Sequence, residues 1–419
     1  MSAVHLQEQK EKLVAGHVTD KNGYLYCVLN LTENGKRKPK WIPTGLKVKG
    51  NKTRANDMLL DFRREWTEKL IAERESAEKD TSEISEDGNL LFVDLLYQWL
   101  AYKKKTAMEQ TLEQRPIDIV TYAGYATNVK NPIAPYFREH PITVQEIKKD
   151  DIKAFYEKQL ERIKVSTVKH YHAVIHGALN FAVDKGLIQA NPSSNMGLPQ
   201  LDKFKGDYYS VNEVLELFRN IQGTTIEFPT MMAAVYGLRR SEILGLKWNA
   251  FDFTNDAFII RHTVTSCNLD GKHIIVAKDK TKTKSSRRTM PLIPFVKERL
   301  LAIKAEQEEN RKLCGRSYCK DYLEYVCVDA LGERTKPNYV SSTFPSILKK
   351  TGMRHIRFHD LRHTCAALLM ANGVPVEKIM EWLGHSEIST TVDIYGHLEF
   401  SSKMESADTI VQSLQLFPL

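Results

Sequence analysis

Near the end of the sequence, arginine, histidine and tyrosine recur at spacings that could assemble around one phosphate. His359 and Arg362 are three residues apart before an apolar run, so on a helix they share one face beside a buried stripe. His385 follows Gly384, which is placed to end a helix, and Tyr395 lies in a further predicted helix. Guanidinium groups grip phosphate oxygens, imidazole exchanges protons there, and a tyrosine hydroxyl can attack phosphorus. The set predicts phosphodiester chemistry.

Four segments resemble the signature of the tyrosine recombinases, the phage integrase family. Three of them read His-x-x-Arg-His, Leu-Gly-His-Ser and Thr-Thr-x-x-x-Tyr-x-His, and they span residues 359–363, 383–386 and 390–397. The fourth, residues 236–248, resembles the first arginine box of that family and places Arg239 near the N-terminus of a helix predicted over 241–248. The resemblance implies a set of catalytic residues: Arg239, His359, Arg362, His385 and the nucleophile Tyr395.

The catalytic lysine of this family lies in a β-hairpin, and a basic segment from residue 278 to 292 resembles that hairpin. The Lys-Thr-Lys-Ser-Ser-Arg-Arg pattern favours Lys282 as the lysine, but Lys280 and Lys284 lie on the same face of a strand and stay open. An exposed basic edge that resists aggregation is the other interpretation of this segment. Strands are predicted before it, near 257–265 and 273–277.

The resemblance implies cleavage without a cofactor, and the sequence holds no motif that would suggest one. There is no glycine-rich nucleotide loop and no zinc-ligand spacing. His170, His172 and His176 do not share a helical face, so they are not expected to bind metal. Cys314 and Cys319 belong to a loose group whose spacing does not suit zinc. We therefore expect neither a cofactor nor a metal ion.

Composition and charge permit nucleic-acid binding and suggest a protein that stays inside a cell. The chain has 419 residues, a net charge of +8, a pI of about 8.9 and 42% hydrophobic residues, enough for two or three domains. No apolar run is long enough to cross a membrane and the start does not resemble a signal peptide. Six scattered cysteines suit free thiols. We expect a cytoplasmic, nucleoid-associated protein that is encoded by a bacterium or a phage.

Most of the excess positive charge lies at the N-terminus. Residues 1–66 hold thirteen lysines and arginines against seven acids, and they alternate with aromatic and β-branched residues around an Asn34-Gly35 turn. The pattern predicts a three-stranded sheet and one helix over 1–70, which resembles the arm-type DNA-binding domain of phage and conjugative-transposon integrases. The expected DNA contacts there are Lys36, Arg37, Lys38 and Lys40. A solvated basic face is the alternative.

The predicted fold class is a multidomain α+β protein. After the N-terminal domain, an acidic linker is expected at 71–88, an all-α core-binding bundle at 89–195 and a second linker at 196–206. A mainly helical catalytic domain with a small β-sheet follows at 207–400, then a tail helix at 401–419. Its packing in cis or in trans stays open. Further expected DNA contacts are Lys103, Lys104, Lys105, Lys130, Lys169, Lys284 and Arg287.

The resemblance implies a site-specific recombinase that integrates and excises a mobile element or prophage. Its expected partners are double-stranded DNA with core and arm sites, a Holliday junction and three further copies of the chain, together with an excisionase or DNA-bending accessory protein. No membrane partner is expected. A type IB topoisomerase, which uses a similar residue set, is one alternative. The N-terminal basic module argues against it. A non-catalytic DNA-binding protein is the other alternative.

Overall fold

A computed structural model describes residues 14–33, 36–79, 90–108, 117–199, 207–279 and 288–384, without the side chains of residues 31–38, 69–79 and 108. In these ranges the helices are α1 (Lys52–Lys79), α2 (Phe92–Met108), α3 (Ile119–Asn128), α4 (Ala134–Glu139), α5 (Lys149–Leu160), α6 (Val165–Asp184), α7 (Val211–Ile221), α8 (Glu227–Tyr236), α9 (Arg240–Leu244), α10 (Pro294–Cys314), α11 (Pro337–Thr351), α12 (Asp360–Ala371) and α13 (Val376–Leu383). The strands are β1 (Gly16–Lys21), β2 (Tyr24–Glu33), β3 (Lys36–Lys47), β4 (Phe251–Asp252), β5 (Ala257–Ile260), β6 (Thr263–Leu269), β7 (Lys272–Lys278) and β8 (Arg288–Pro291).

The N-terminal region is an antiparallel sheet in the order β1-β2-β3 with α1 packed against it. Cys27, Leu29 and Leu59 form its small buried core, because alternate residues of β2 point towards the helix. Asn22 and Gly23, both at positive φ, make the tight turn from β1 to β2. A three-stranded sheet with one helix is therefore present. The predicted Asn34-Gly35 turn lies outside the described residues.

Helix α1 continues to Lys79 and thus occupies part of the stretch predicted as a linker. Alanine, glutamate and lysine predominate there, and their high helix propensity favours the extension.

The segment from α2 to α6 is helical, as its apolar periodicity predicts. The predicted proline-broken piece is α3 and α4 joined by a π-helical turn over Val129–Ile133, where Pro132 cannot donate its backbone nitrogen. Phe92 meets Phe137 edge to face at 4.8 Å. A side chain at Gly177 would collide with the Trp99 ring, which fixes how closely α6 can approach α2.

The segment after residue 207 holds the largest core. Residues from α7, α8, α9, α10, α11 and α12 bury one another together with the antiparallel sheet β4-β5-β8. A capping box formed by Ser210 and Glu213 begins α7. In the same core the rings of Tyr236 and Trp382 stack at 5.9 Å, and the Tyr236 hydroxyl donates to the carbonyl of Pro291 at 2.9 Å.

Two predicted elements of this segment differ in the structure. The strand expected over 257–265 is two strands in different sheets, β5 and β6, separated by Arg261 and His262. The buried His262 ring forms hydrogen bonds with Asp279 at 2.6 Å and with the Tyr325 hydroxyl at 2.9 Å. The helix expected over 241–248 ends at Leu244 with Gly245 as its C-cap, and a side chain at Gly245 would collide with the His262 carbonyl.

Contacts divide the chain into two compact units: Met1–Tyr102 with Ala134–Lys153 and Ile175–Ser194, and Lys103–Ile133 with Ala154–Val174 and Asn195–Leu419. Segments of the predicted 89–195 bundle belong to both units. The domain boundaries inferred from sequence stay predictions. None of the helices that the structure describes combines the length and the apolar character needed to cross a membrane. The mixed helix and sheet content confirms the predicted fold class.

Candidate active site

Arg362 is a buried arginine in the first turn of α12, with only 2% of its surface exposed. It donates from Nη1 to the carbonyl of Gly237 at 2.6 Å and from Nη2 to the carbonyl of Leu383 at 2.7 Å. Burial lowers the pKa of its guanidinium to about 9, and the nearby charge of Arg239 acts in the same direction. Arg362 is therefore still charged at neutral pH and is held in one orientation.

Arg239 is the N-cap of α9, directly after a tight backbone turn. Gly237 makes that turn at φ +62°, and a side chain there would overlap Leu383. Arg239 donates from Nη2 to the carbonyl of Gly384 at 3.2 Å and from Nη1 to the Glu242 carboxylate at 2.8 Å. About a third of the side chain stays exposed, so this guanidinium faces the surface while Arg362 lies behind it.

His359 precedes α12 by one residue and stacks edge to face on His363 at 5.5 Å. Its side chain keeps contact with solvent, but the protein packed around it lowers the pKa of the imidazole to about 4. The neighbouring charges of His363 and Arg362 lower it further. The ring is neutral at pH 7 and can accept a proton.

The turn that carries His359 is fixed by an ion pair. Arg357 donates from Nε and Nη2 to the buried Asp360 carboxylate, with distances from 2.6 to 3.1 Å. Its backbone nitrogen also donates to Asp360 at 2.7 Å. Burial raises the pKa of the Asp360 carboxyl, but these bonds from Arg357 outweigh it and leave the pKa lowered. The carboxylate thus stays charged and holds the start of α12.

A cleft of about 540 Å³ opens where these elements meet. Arg239 and His359 line it, together with Arg240, Ser241, Ser341 and Arg357. Arg240 donates to the Ser341 hydroxyl across the cleft. Three arginines and three hydroxyl side chains are six of the eleven lining residues, so the wall offers several hydrogen-bond donors to phosphate oxygens.

Two further residues belong to this site and were not predicted from sequence. Glu242 is 2% exposed and accepts from Arg239 and, at 3.4 Å, from Nη2 of Arg288. Arg288, at the start of β8, also donates from Nε to the carbonyl of Trp382 at 2.9 Å. We call Arg239, Arg288 and Arg362 the arginine cluster. Glu242 carries a detectable signal, a glutamate three residues after a helix N-cap. Arg288 carries none, because its partners are distant in sequence.

The remaining predicted catalytic residues lie outside the described residues. They are Lys282, His385 and Tyr395, together with the alternative lysines Lys280 and Lys284 and the predicted DNA contact Arg287. Gly384, the residue before His385 in the sequence, ends α13 in the left-handed conformation, as predicted. The structure thus brings Arg239, His359 and Arg362 together, and the catalytic roles of all six residues stay predictions.

The predicted DNA-contact lysines that the structure describes occupy several elements. Lys40 lies on β3 with its ammonium 4.0 Å from the centre of the Trp66 ring. Lys104 donates to Asp270 at 3.0 Å, and Lys130 lies 3.6 Å from the same carboxylate. Lys103 and Lys105 lie on α2 and Lys169 on α6. The side chains of Lys36, Arg37 and Lys38 are outside the description.

The described part of the chain contains no group of three His, Cys, Asp or Glu side chains that could hold a metal ion. His172 instead bonds to the Tyr156 hydroxyl at 3.0 Å, and His176 to the Ser193 hydroxyl at 2.8 Å. The six cysteines are free thiols.

The phage integrase family model matches residues 209–402. A tyrosine recombinase XerC-like protein of Caldanaerobacter subterraneus subsp. tengcongensis is 28% identical over 335 residues, which cover 76% of this chain and 82% of that protein. The ICEBs1 integrase of Bacillus subtilis is 26% identical over 285 residues, covering 67% of this chain and 75% of the integrase.

Two solved structures share the fold. The integrase of the transposon Tn1549, in complex with a circular intermediate DNA, matches with a TM-score of 0.61 at 18% identity over 77% of this chain and 99% of that one. The XerH site-specific recombinase, bound to a palindromic difH substrate, matches with a TM-score of 0.52 at 15% identity over 77% and 97% of the two chains. The family-model match and the tyrosine recombinase and integrase relatives indicate an enzyme that cleaves and rejoins DNA strands. Within that class, residues 209–402 match the phage integrase family, and the relatives named above are a tyrosine recombinase and an integrase, which confirms the resemblance inferred from the motifs.

Proposed function

We propose that this recombinase integrates and excises a mobile element or prophage through a 3′-phosphotyrosine intermediate. The observation that carries the proposal is the convergence of Arg239, Arg362 and His359, with both arginines bonded to the carbonyls of Leu383 and Gly384. His385 follows these two residues in the sequence. Two fixed guanidinium groups beside a neutral imidazole suit a scissile phosphate.

The first step is in-line attack by the Tyr395 hydroxyl oxygen on phosphorus. A new bond forms between that oxygen and phosphorus, and the bond to the 5′-oxygen breaks. Arg239 and Arg362 stabilise the charge that builds on the non-bridging oxygens, and His385 donates a further hydrogen bond. His359 accepts the tyrosine proton. A phosphate bound between the arginines offsets the positive charges that help lower the pKa of His359, and so makes its ring a better proton acceptor.

The leaving 5′-oxygen takes a proton from Lys282, with Lys280 and Lys284 as the alternative donors. The phosphotyrosine bond conserves the energy of the phosphodiester, so the 5′-hydroxyl of a second duplex can attack it and release Tyr395. Repeating this on the other strands passes through a Holliday junction and completes the exchange. No metal ion or nucleotide takes part in these steps.

Binding of double-stranded DNA is divided between two regions in this proposal. The helical region at 89–195 contacts core sites through Lys103, Lys104 and Lys169, and the sheet domain at 1–70 contacts arm sites through Lys36, Arg37, Lys38 and Lys40. The Tn1549 and XerH relatives are in complex with DNA, which supports DNA as the partner here. Lys284 and Arg287 add contacts near the cleaved phosphate.

Exchange between two duplexes requires four active sites, so the active form is a homotetramer on DNA. The tail helix at 401–419 docks in cis or in trans, and docking in trans would couple cleavage to assembly. An excisionase or DNA-bending protein sets direction. The enzyme works in the cytoplasm, on the nucleoid.

The test uses nicked suicide duplexes that carry the junction of the element, without metal or nucleotide, followed by denaturing gel analysis. Wild-type protein should form a covalent adduct, and Tyr395→Phe should bind the duplex without forming it. Joining of the adduct to a second duplex distinguishes a recombinase from a topoisomerase. An adduct that persists in Tyr395→Phe contradicts the nucleophile, and binding without any adduct favours a non-catalytic protein.

A further inference from the structure

Three consecutive backbone carbonyls at the end of α13 each accept a hydrogen bond from a different arginine. Arg288 Nε donates to Trp382 at 2.9 Å, Arg362 Nη2 to Leu383 at 2.7 Å and Arg239 Nη2 to Gly384 at 3.2 Å. The last carbonyls of a helix have no partner within the helix and carry partial negative charge. The arginine cluster therefore supplies the cap of α13, from three separate elements.

Glu242 connects two members of the arginine cluster, Arg239 and Arg288. Its carboxylate accepts from the backbone nitrogen of Arg239 at 2.9 Å, from Arg239 Nη1 at 2.8 Å and from Arg288 Nη2 at 3.4 Å. The Glu242 side chain is 2% exposed and that of Arg288 is 8% exposed. Arg288 thus connects Glu242 with the carbonyl of Trp382, while its own guanidinium is shielded from the cleft that Arg239 and His359 line.

We propose that Arg288 is a positioning residue, which orients Arg239 through Glu242 and holds the end of α13 against Arg362 through the Trp382 carbonyl. This inference rests on the proposed roles of Arg239 and Arg362 in cleavage. Arg288 does not touch the phosphate in this scheme. It sets the angle at which the two catalytic guanidinium groups meet the substrate, and geometry at this level governs rate more than binding.

The charge on Glu242 makes the positioning role of Arg288 testable through its pH dependence. The charged groups that face this carboxyl are Arg239 beside it, Arg288 on β8 and Arg362 on α12. Burial raises the pKa of the Glu242 carboxyl, but Arg288 and then Arg239 outweigh burial and leave the pKa lowered. Without Arg288 the pKa must rise, so protonation of Glu242 would weaken its bonds to Arg239 at a higher pH than in the wild type.

The experiment measures single-turnover cleavage of a saturating nicked suicide duplex by the full-length chain from pH 5.5 to 9. Arg288→Met should reduce the cleavage rate at pH 7 by about 10- to 100-fold, as expected when a buried carboxylate and a buried carbonyl lose a donor. The acid limb of its rate profile should move to higher pH. DNA affinity in a gel-shift assay should change by less than about threefold, because no phosphate contact is lost.

Two other variants separate positioning from folding. Arg288→Lys keeps a positive charge near Glu242 but cannot reach both partners, so it should restore the acid limb and only part of the rate. Arg299→Met removes an arginine that binds Glu227 and Glu306 away from the cleft, and should leave the profile unchanged. Circular dichroism verifies that each variant is folded.

The outcomes are distinct. A wild-type chain that forms no adduct on its junction contradicts the proposed function. If wild type cleaves but Arg288→Met and Arg299→Met show the same rate and the same acid limb, Arg288 has only a structural role. Should Arg288→Met fail to fold, Arg288→Lys decides, since a folded lysine variant with the wild-type rate also overturns the inference.

Discussion

The arginine cluster and the predicted DNA-contact lysines Lys40, Lys104 and Lys130 hold positive charge in opposite ways. Each arginine of the cluster is fixed by backbone carbonyls or by Glu242, and Arg362 is almost fully buried. Lys104 and Lys130 share one exposed carboxylate, Asp270, and Lys40 lies over an aromatic ring. Fixed, desolvated charge suits the stabilisation of a single transition state. Exposed, flexible charge suits an adaptable grip on a backbone.

Arg362→Lys tests the fixed charge most severely. Lysine keeps the charge but cannot donate to both Gly237 and Leu383 while facing a phosphate. The cleavage rate should fall by about 100- to 1,000-fold, the usual cost of losing one oxyanion donor. Single-turnover adduct formation measures this. Arg299→Lys is the matched control, and a wild-type rate for Arg362→Lys would mean that fixed geometry is not needed.

Acid should destabilise the site through His359. The pKa of its ring is lowered to about 4 from an ordinary value near 6.5, so the unfolded chain binds the proton more readily. Its contribution to stability is present above about pH 6.5 and is lost as the pH falls towards 4. His359→Gln should therefore lose less stability than wild type between pH 7 and pH 5 in urea unfolding. An equal loss in both proteins would contradict the lowered pKa.

Lys104 and Lys130 should affect the affinity for DNA and its dependence on salt concentration. If Lys104 and Lys130 each contact a phosphate, they add to the loss of DNA affinity between 50 and 200 mM salt. Replacing both lysines by methionine should make that loss about tenfold smaller. Cleavage at saturating DNA should be unchanged. Lys312→Met, an exposed lysine on α10, is the control. A reduced cleavage rate at saturation would show that these lysines resemble the arginine cluster after all.

The smallest effect is expected at Lys40. Its ammonium interacts with the Trp66 ring, which at an exposed site contributes about 0.5–1 kcal/mol. Lys40→Met should lower the free energy of unfolding of the N-terminal sheet by an amount of that order, measured by hydrogen exchange of β2 and β3. Lys49→Met, at an exposed position, should change it less. If Lys40→Met and Lys49→Met change the free energy of unfolding equally, the contact of Lys40 with the Trp66 ring does not stabilise the sheet.

Elements with local stop signals could be predicted from the sequence. Helix α13 begins after Pro375 and ends before Gly384, and α12 ends at Ala371, followed by its C-cap Asn372 and by Gly373 at a positive φ. Arg239, His359 and Arg362 could be proposed together because each lies in a short motif.

Features that depend on distant partners could not be predicted. At the break between β5 and β6, His262 bonds to Asp279 and Tyr325, which lie 17 and 63 residues away. Arg288 resembles its neighbour Arg287 in a basic segment, and only its bonds to Glu242 and Trp382, 46 and 94 residues away, assign it to the interior. Periodicity describes a surface or a core, not the pairing of buried charges.

The stack of Trp382 on Tyr236 supplies a built-in optical reporter. The indole ring lies parallel to the phenol at 16°, and the carbonyl of the same tryptophan accepts the bond from Arg288. Any shift of α13 when an anion enters the cleft would alter the surroundings of this chromophore. In a chain whose other tryptophans (Trp41, Trp66, Trp99 and Trp248) are replaced by phenylalanine, stopped-flow emission could follow the closing of the site around DNA in real time.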